Sequence, residues 1–188
     1  MLCLTAQIND KFKFNGVEYV VVGIDGPELF NPIDEGFKPK SASTACWRGF
    51  FLTFNATDMY LYLEELQINQ DKVKIFKDIK PVKGDYFFSH KYTNMNYKLP
   101  FTGKILIAKD FIDSMYVHMG FQRPMAYKTV IELIIENGDV KEVVDHSDMF
   151  EKRRNEDSNK GAEPKSSGEK DIKDFVEKSF SREYDVDK

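Results

Sequence analysis

Through most of the first 150 positions, apolar and polar residues follow the two-residue period of strands, interrupted by turn residues. The clearest case is Phe12-Lys13-Phe14-Asn15-Gly16-Val17-Glu18-Tyr19-Val20. Its Asn-Gly pair sits between alternating apolar residues and predicts a two-residue hairpin, because both turn positions need positive φ. Tyr19 to Ile24 continues as a β-branched run, closed by Asp25-Gly26-Pro27. Residues 28–43 carry Pro32, Gly36 and Pro39 and read as a long ordered loop with one helical turn. Trp47 to Phe54 and Met59 to Leu66 predict a second hairpin around Asn55-Ala56-Thr57-Asp58. Its return strand has Tyr60, Tyr62 and Glu64 on one face and Leu61, Leu63 and Glu65 on the other, so it is expected to be covered on both sides.

Residues 67–98 are less regular, with Ile75, Phe76 and Ile79 as anchors and a strand expected around Tyr86 to Phe88. Ile105 to Ala108 reads as a short strand. Asp110 then caps a predicted helix with an apolar stripe of Phe111, Ile112, Met115, Tyr116 and Met119, stopped by Gly120. Thr129 to Glu136 and Asp139 to Val144 flank Asn137-Gly138, another hairpin of the first kind.

The landmarks recur in order. Phe14-Asn15-Gly16, the run to Ile24, Gly36-Phe37-Lys38-Pro39 and the hairpin from Phe50 are followed by Phe101-Thr102-Gly103, the run to Ala108, Gly120-Phe121-Gln122-Arg123-Pro124 and the hairpin from Val130. This pattern predicts a β-rich α+β domain over residues 1–150, made of two pseudo-repeated halves at about 8–68 and 95–146, with one short helix. Residues 151–171 are charged and lack aromatics, and read as a flexible linker. Residues 172–188 form an amphipathic tail in which Ile172, Phe175, Val176 and Phe180 share a helical stripe. Docking on its own domain is the preferred expectation for that tail, ahead of docking on a partner.

Composition narrows the function. In 188 residues there are 16 Phe and 9 Tyr, enough apolar area for a substantial core. A net charge of -4 and a pI near 5.5 argue against nucleic-acid binding. Two cysteines, Cys3 and Cys46, make no disulfide framework and suit a reducing compartment. With no basic, apolar leader and no membrane-length apolar run, the expected location is the cytoplasm, away from membranes.

The densest chemistry is Thr44-Ala45-Cys46-Trp47-Arg48-Gly49, which joins a thiol, the single Trp and an Arg at a strand entry. Cys46 reads either as a nucleophile or as a small buried hydrophobe, and Arg48 either as an anion anchor or as a structural fork to a carboxylate or carbonyls; the structural readings are preferred. His90, His118 and His146 are far apart and show no metal-ligand spacing. His118 reads as a surface or cap residue, and a Cys46–His118 dyad is the one catalytic pair to test. If the halves face one another, Lys38, Arg48, Arg123 and Lys128 gather into an anion-receiving seam; the preferred alternative has Phe37 and Phe121 plugging the core. No catalytic residue, cofactor or metal is assigned.

Thr44-Ala45-Cys46-Trp47-Arg48-Gly49-Phe50, Leu99-Pro100-Phe101-Thr102-Gly103-Lys104-Ile105, Lys109-Asp110-Phe111-Ile112 and Val117-His118-Met119-Gly120-Phe121-Gln122 resemble stretches of small bacterial proteins of uncharacterised function. The resemblance spans about residues 8–147. It implies a bacterial, cytoplasmic origin and carries over no site residue.

Two functions from different classes follow. The first is a non-enzymatic protein-binding module, of the immunity or antitoxin type, contacting its partner through Phe87, Tyr92, Tyr97, Phe175 and Phe180, since aromatics in polar loops anchor interfaces. The second is a small-ligand binder or enzyme using a seam lined by Cys46, Trp47, Arg48, His118 and Arg123. The first is favoured, and the oligomeric state is left open.

Overall fold

A computed structural model of the chain describes residues 6–57, 60–156 and 163–184. Among them ten strands form one mixed sheet: β1 (Lys11–Phe14), β2 (Val17–Asp25), β3 (Phe50–Ala56), β4 (Leu61–Ile68), β5 (Val82–Lys83), β6 (His90–Tyr92), β7 (Tyr97–Lys98), β8 (Gly103–Phe111), β9 (Tyr127–Glu136) and β10 (Asp139–Asp145). Their order across the sheet is β10-β9-β8-β2-β1-β3-β4-β6-β5, and β7 pairs with β4 off that path. The β-rich α+β class expected from the pattern holds.

The Asn-Gly turns form as their chemistry requires. Asn15 and Gly16 have φ of 50° and 74°, and Asn137 and Gly138 have 50° and 83°. The sheet curls until the second turn meets β4: Leu61 N donates to the Gly138 carbonyl at 2.6 Å, and Gly138 N donates to that of Phe101 at 2.7 Å. The inner face thereby encloses Phe12, Phe54, Leu61, Leu63, Ile105, Ile107 and Leu133. The long loops are ordered by aromatic plugs in this core. Phe37 meets Tyr92 edge-on at 5.4 Å, and Phe30 and Phe76 meet Tyr97 at 5.9 and 5.6 Å.

A second apolar cluster covers the outer face of β2, β8 and β9, built on Val22, Leu106, Ala108 and Val130. Helix α1 (Ser147–Glu156) drops Phe150 into it, and Arg154 Nη1 donates to the carbonyls of Met125 and Tyr127 at 3.0 and 2.7 Å. Helix α2 (Glu169–Phe180) has no buried residue.

Three expectations are corrected, and a fourth, the repeated halves, is not confirmed. No α-helix follows Asp110: β8 runs to Phe111, Asp110 sits at φ 62°, and only a 3-10 turn, Asp113–Met115, follows. Cross-strand pairing wins over the local helical stripe, because Phe111 packs against Tyr127 at 5.2 Å and Ile112 N bonds the Ala126 carbonyl. Residues 86–88 form a turn with Tyr86 at φ 54°, between β5 and β6, and not a strand. Residues 151–156, read as linker, are the second half of α1, while 157–162 lie outside the described residues. The recurring landmarks do not become recurring pairings. β1 precedes β2 and separates it from β3, whereas β8 pairs directly with β9.

Candidate functional site

The short segment before β1 ties two loops together. Gln7 N donates to the Gly120 carbonyl at 2.6 Å, and Ile8 N to that of Ala45 at 3.0 Å. Asp10 follows, its backbone fixed by Val21 N at 2.8 Å and its carboxylate almost wholly buried. Oδ1 accepts Leu52 N at 2.8 Å, and Arg48 forks onto both carboxylate oxygens. A second guanidinium comes from the far end of the chain: Arg182 Nη1 donates to Asp10 Oδ2 at 2.6 Å. Arg48 lies over the Phe50 ring at 4.7 Å and Arg182 over Phe121 at 4.3 Å. Burial alone pushes the Asp10 carboxyl up, but the two guanidiniums outweigh it and hold the group below the usual aspartate range.

Arg182 arrives on an extended strap. After α2 the backbone turns extended at Ser181 (φ -90°, ψ 152°), so Phe180, Arg182 and Tyr184 point to one side. Two main-chain bonds hold the strap, Phe121 N to the Ser179 carbonyl and Ile24 N to the Arg182 carbonyl, each 2.8 Å. Phe180 stacks on Trp47, centroids 5.3 Å apart and planes 13° from parallel. Tyr184 donates its hydroxyl to Glu132 Oε1 at 2.8 Å, on a carboxylate also faced by His146 at 3.4 Å and Lys104 at 3.9 Å. Burial, then the bond to Glu132 and its charge, push the Tyr184 phenol far up, so it stays a donor.

Two glycines make room. A Cβ on Gly23 would lie 2.3 Å from the Tyr184 ring, and one on Gly120 (φ 71°) 1.9 Å from the Ser179 carbonyl oxygen.

Beside the strap runs an open groove of about 400 Å³, lined by Glu28, Trp47, Arg48, Phe121, Phe180 and Arg182 among others. Arg182 shares one carboxylate with Arg48. Burial first, with Arg48's charge, outweighs the pull of Asp10 and lowers its pKa below the ordinary arginine value, though it stays charged. Its Nε and Nη2 are buried and meet no acceptor among the described residues.

No family model, curated protein or solved structure matches this chain.

The groove unites Trp47, Arg48 and Phe180 from the expected set and leaves out Cys46, His118 and Arg123. Cys46 is buried, and its Sγ donates to the Phe50 carbonyl at 3.3 Å. Burial pushes its thiol up despite the nearby Arg48 charge, a setting for packing and not for nucleophilic attack. His118 is exposed and stands edge-on to Tyr116 at 4.9 Å; among the described residues no hydrogen bond joins it to Cys46. Arg123 opens the 3-10 turn Pro124–Ala126. Lys38 and Lys128 do not line the groove, so the four-cation seam does not assemble there. Phe37 plugs the core as preferred, whereas Phe121 lies half-buried under Arg182.

Of the partner-facing aromatics, Tyr92 is wholly buried, which removes it from any surface, while Tyr97 is half-buried and packs one side against the same core. Phe87 is exposed, beside fully exposed Tyr86, on a second groove of about 380 Å³. Its lysines are matched by carboxylates: Lys11 by Glu18, Lys13 by Glu64, and Lys91 by Glu65 and Asp85. Phe175 is half-buried on α2.

The residues that sequence reasoning missed are Asp10, Glu132, Arg182 and Tyr184. The period-two spacing of Phe180, Arg182 and Tyr184 was the available signal, masked by the helical stripe just before it. Asp10 gave none, being one acid beside Lys11.

Proposed function

We propose that the protein is a non-enzymatic binding module that takes an extended segment of a partner protein into the Trp47–Asp10 groove, which its own tail fills at rest. The observation that carries this reading is how residues 179–184 are held. They are bound as peptides are bound by recognition domains, with main-chain bonds for affinity and side-chain pockets at alternate positions for specificity. A matching partner segment has an aromatic residue, then Arg two positions on, then Tyr two further on: a ring for Trp47, a guanidinium for Asp10 and a hydroxyl for Glu132. Among the described residues no helix is long and apolar enough to cross a membrane, and no cluster of three metal-ligating side chains occurs. A cytoplasmic location belongs to the same proposal, supported by the free thiol of Cys46.

The test uses the full chain carrying Phe180→Ala and Arg182→Ala, which removes two tail anchors and leaves both apolar cores untouched. A labelled peptide of residues 178–184 is expected to bind this variant one to one and to change the emission of Trp47. The same peptide with Arg182→Ala is expected to bind roughly tenfold more weakly or worse, through loss of a charge-assisted bond. A variant whose tail is free but which ignores the wild-type peptide sinks the groove as a peptide site.

A further inference from the structure

We propose that the outer face around the turn between β5 and β6 is a self-association surface. Two copies of the chain pair there about a two-fold axis, the Tyr86 ring of each entering the groove beside Phe87 of the other. The proposal involves neither the Trp47 groove nor the tail, and it stands or falls apart from the peptide reading.

It starts from a backbone conformation that the side chain disfavours. Tyr86 sits at φ 54°, a left-handed conformation that is rare and costly for a bulky residue. Nothing inside the fold offsets that cost. Tyr86 is fully exposed, and among the described residues no hydrogen bond or ring contact holds it. The turn around it is nonetheless tied down. Asp85 N donates to Gln67 Oε1 at 3.1 Å, and Gln67 Nε2 and Lys91 Nζ donate to Asp85 Oδ2 at 3.2 and 2.8 Å. Phe88 N donates to the Asp85 carbonyl at 3.0 Å, and the buried Phe88 ring packs with Phe51 and Phe87 at 6.5 and 4.8 Å. A ring is thus held out in water on a fixed base. That is the form of an interface anchor, with little freedom left to lose on binding.

More apolar surface gathers at the same place. Val82 stands opposite Lys91 in the β5–β6 pair, so the two share a face, and Val82, Tyr86 and Phe87 are all exposed. Beside them lies the groove of about 380 Å³, with Ile8, Phe51, Phe87 and Phe88 as its apolar wall. A projecting ring and a cleft able to take one therefore occupy a single face, which is what an isologous two-fold contact requires.

Charge selects a second copy as the occupant. The groove carries three lysines and four carboxylates, joined in ion pairs, so its charge nearly cancels. A face of one sign repels its own image and suits a partner of the opposite sign. A face with both signs in near balance can set its lysines opposite the carboxylates of a copy.

The test is sedimentation equilibrium of the full chain from micromolar to near-millimolar concentration. The wild type, 21.9 kDa as a monomer, is expected to approach twice that mass, with a dissociation constant in the micromolar range. Tyr86→Asn and Tyr86→Gly suit a left-handed backbone and remove the ring. Both are expected to weaken the dimer roughly tenfold or more. At dilutions where the wild type is monomeric, the thermal midpoint of Tyr86→Asn should equal or exceed that of the wild type, because strain is relieved and no internal contact is lost. Phe180→Ala with Arg182→Ala removes two tail anchors and is expected to dimerise as the wild type does. The proposal is overturned if the wild type stays monomeric throughout, which leaves the face to a foreign partner, or if both Tyr86 variants dimerise unchanged. It is overturned equally if monomeric Tyr86→Asn melts below the wild type, which makes the ring structural, or if the tail variant is monomeric, which assigns the association to the tail.

Discussion

Asp10→Ala is expected to lower stability by about 3–5 kcal/mol, the largest effect of any single polar substitution in this fold. The carboxylate is almost wholly buried and carries two guanidiniums and the Leu52 amide. Removing it leaves two cations facing each other with their acceptor gone, which costs far more than the net value of the pairs. For a chain of this length the thermal midpoint should fall by roughly 10 °C. Both ends of the chain are affected, since Asp10 anchors the start of β1 and the strap.

The same group sets an acid limit. The pKa of Asp10 lies below its unfolded value, so its contribution is fully present above the ordinary aspartate pKa of about 4 and is lost as pH falls below that. Stability measured by denaturant from pH 6 to pH 2 should decline, and part of that decline should vanish in Asp10→Asn. An unchanged acid slope in Asp10→Asn would contradict the arrangement.

Gly23→Ala is expected to free the strap while leaving the sheet folded. The new Cβ falls 2.3 Å from the Tyr184 ring and only 3.0 Å from the Leu106 Cβ, and strand backbone otherwise accepts alanine. Tyr184 must leave its place against Gly23, and with it goes its bond to Glu132, at an expected cost of about 1–3 kcal/mol. Trypsin cleavage after Arg182 should quicken roughly tenfold, the ratio that about 1.4 kcal/mol of lost docking gives. Gly16→Ala is the control, a glycine with φ 74° and open space around it, expected to weaken the β1–β2 turn without exposing the tail. Alkali should act on the same contact. Tyr184's pKa is raised above its unfolded value, so its contribution is complete below the ordinary phenol pKa of about 10 and fades as pH rises beyond it.

The long strands beside the two Asn-Gly turns were legible because their signals are local. Asn15-Gly16 and Asn137-Gly138 demand positive φ wherever they stand, and the flanking alternation sets which face is buried. The failures share one cause, competition from distant partners. Phe111 and Ile112 lie at helical spacing with Met115, yet Tyr127 and Ala126 of another segment take them into sheet pairing. Tyr92 and Tyr97 sit among polar neighbours, and only the tertiary fold turns them onto Phe37, Phe30 and Phe76. The candidate site was half legible. Trp47 and Arg48 stood out by type, and the structural fork preferred for Arg48 was right in kind. Its carboxylate lies 38 residues away and the second guanidinium 172 residues from that carboxylate, separations no local pattern encodes.

The measurement that bears most directly on the central claim, a tail docked across the Trp47 groove, is a proton NOE experiment on the full chain. The single indole gives isolated resonances. The account predicts cross-peaks from the Trp47 ring to the Phe180 ring, whose centroids lie 5.3 Å apart, and their disappearance in Phe180→Leu with the remaining spectrum folded. A well-dispersed spectrum with sharp Trp47 signals and no contact to Phe180 would contradict it.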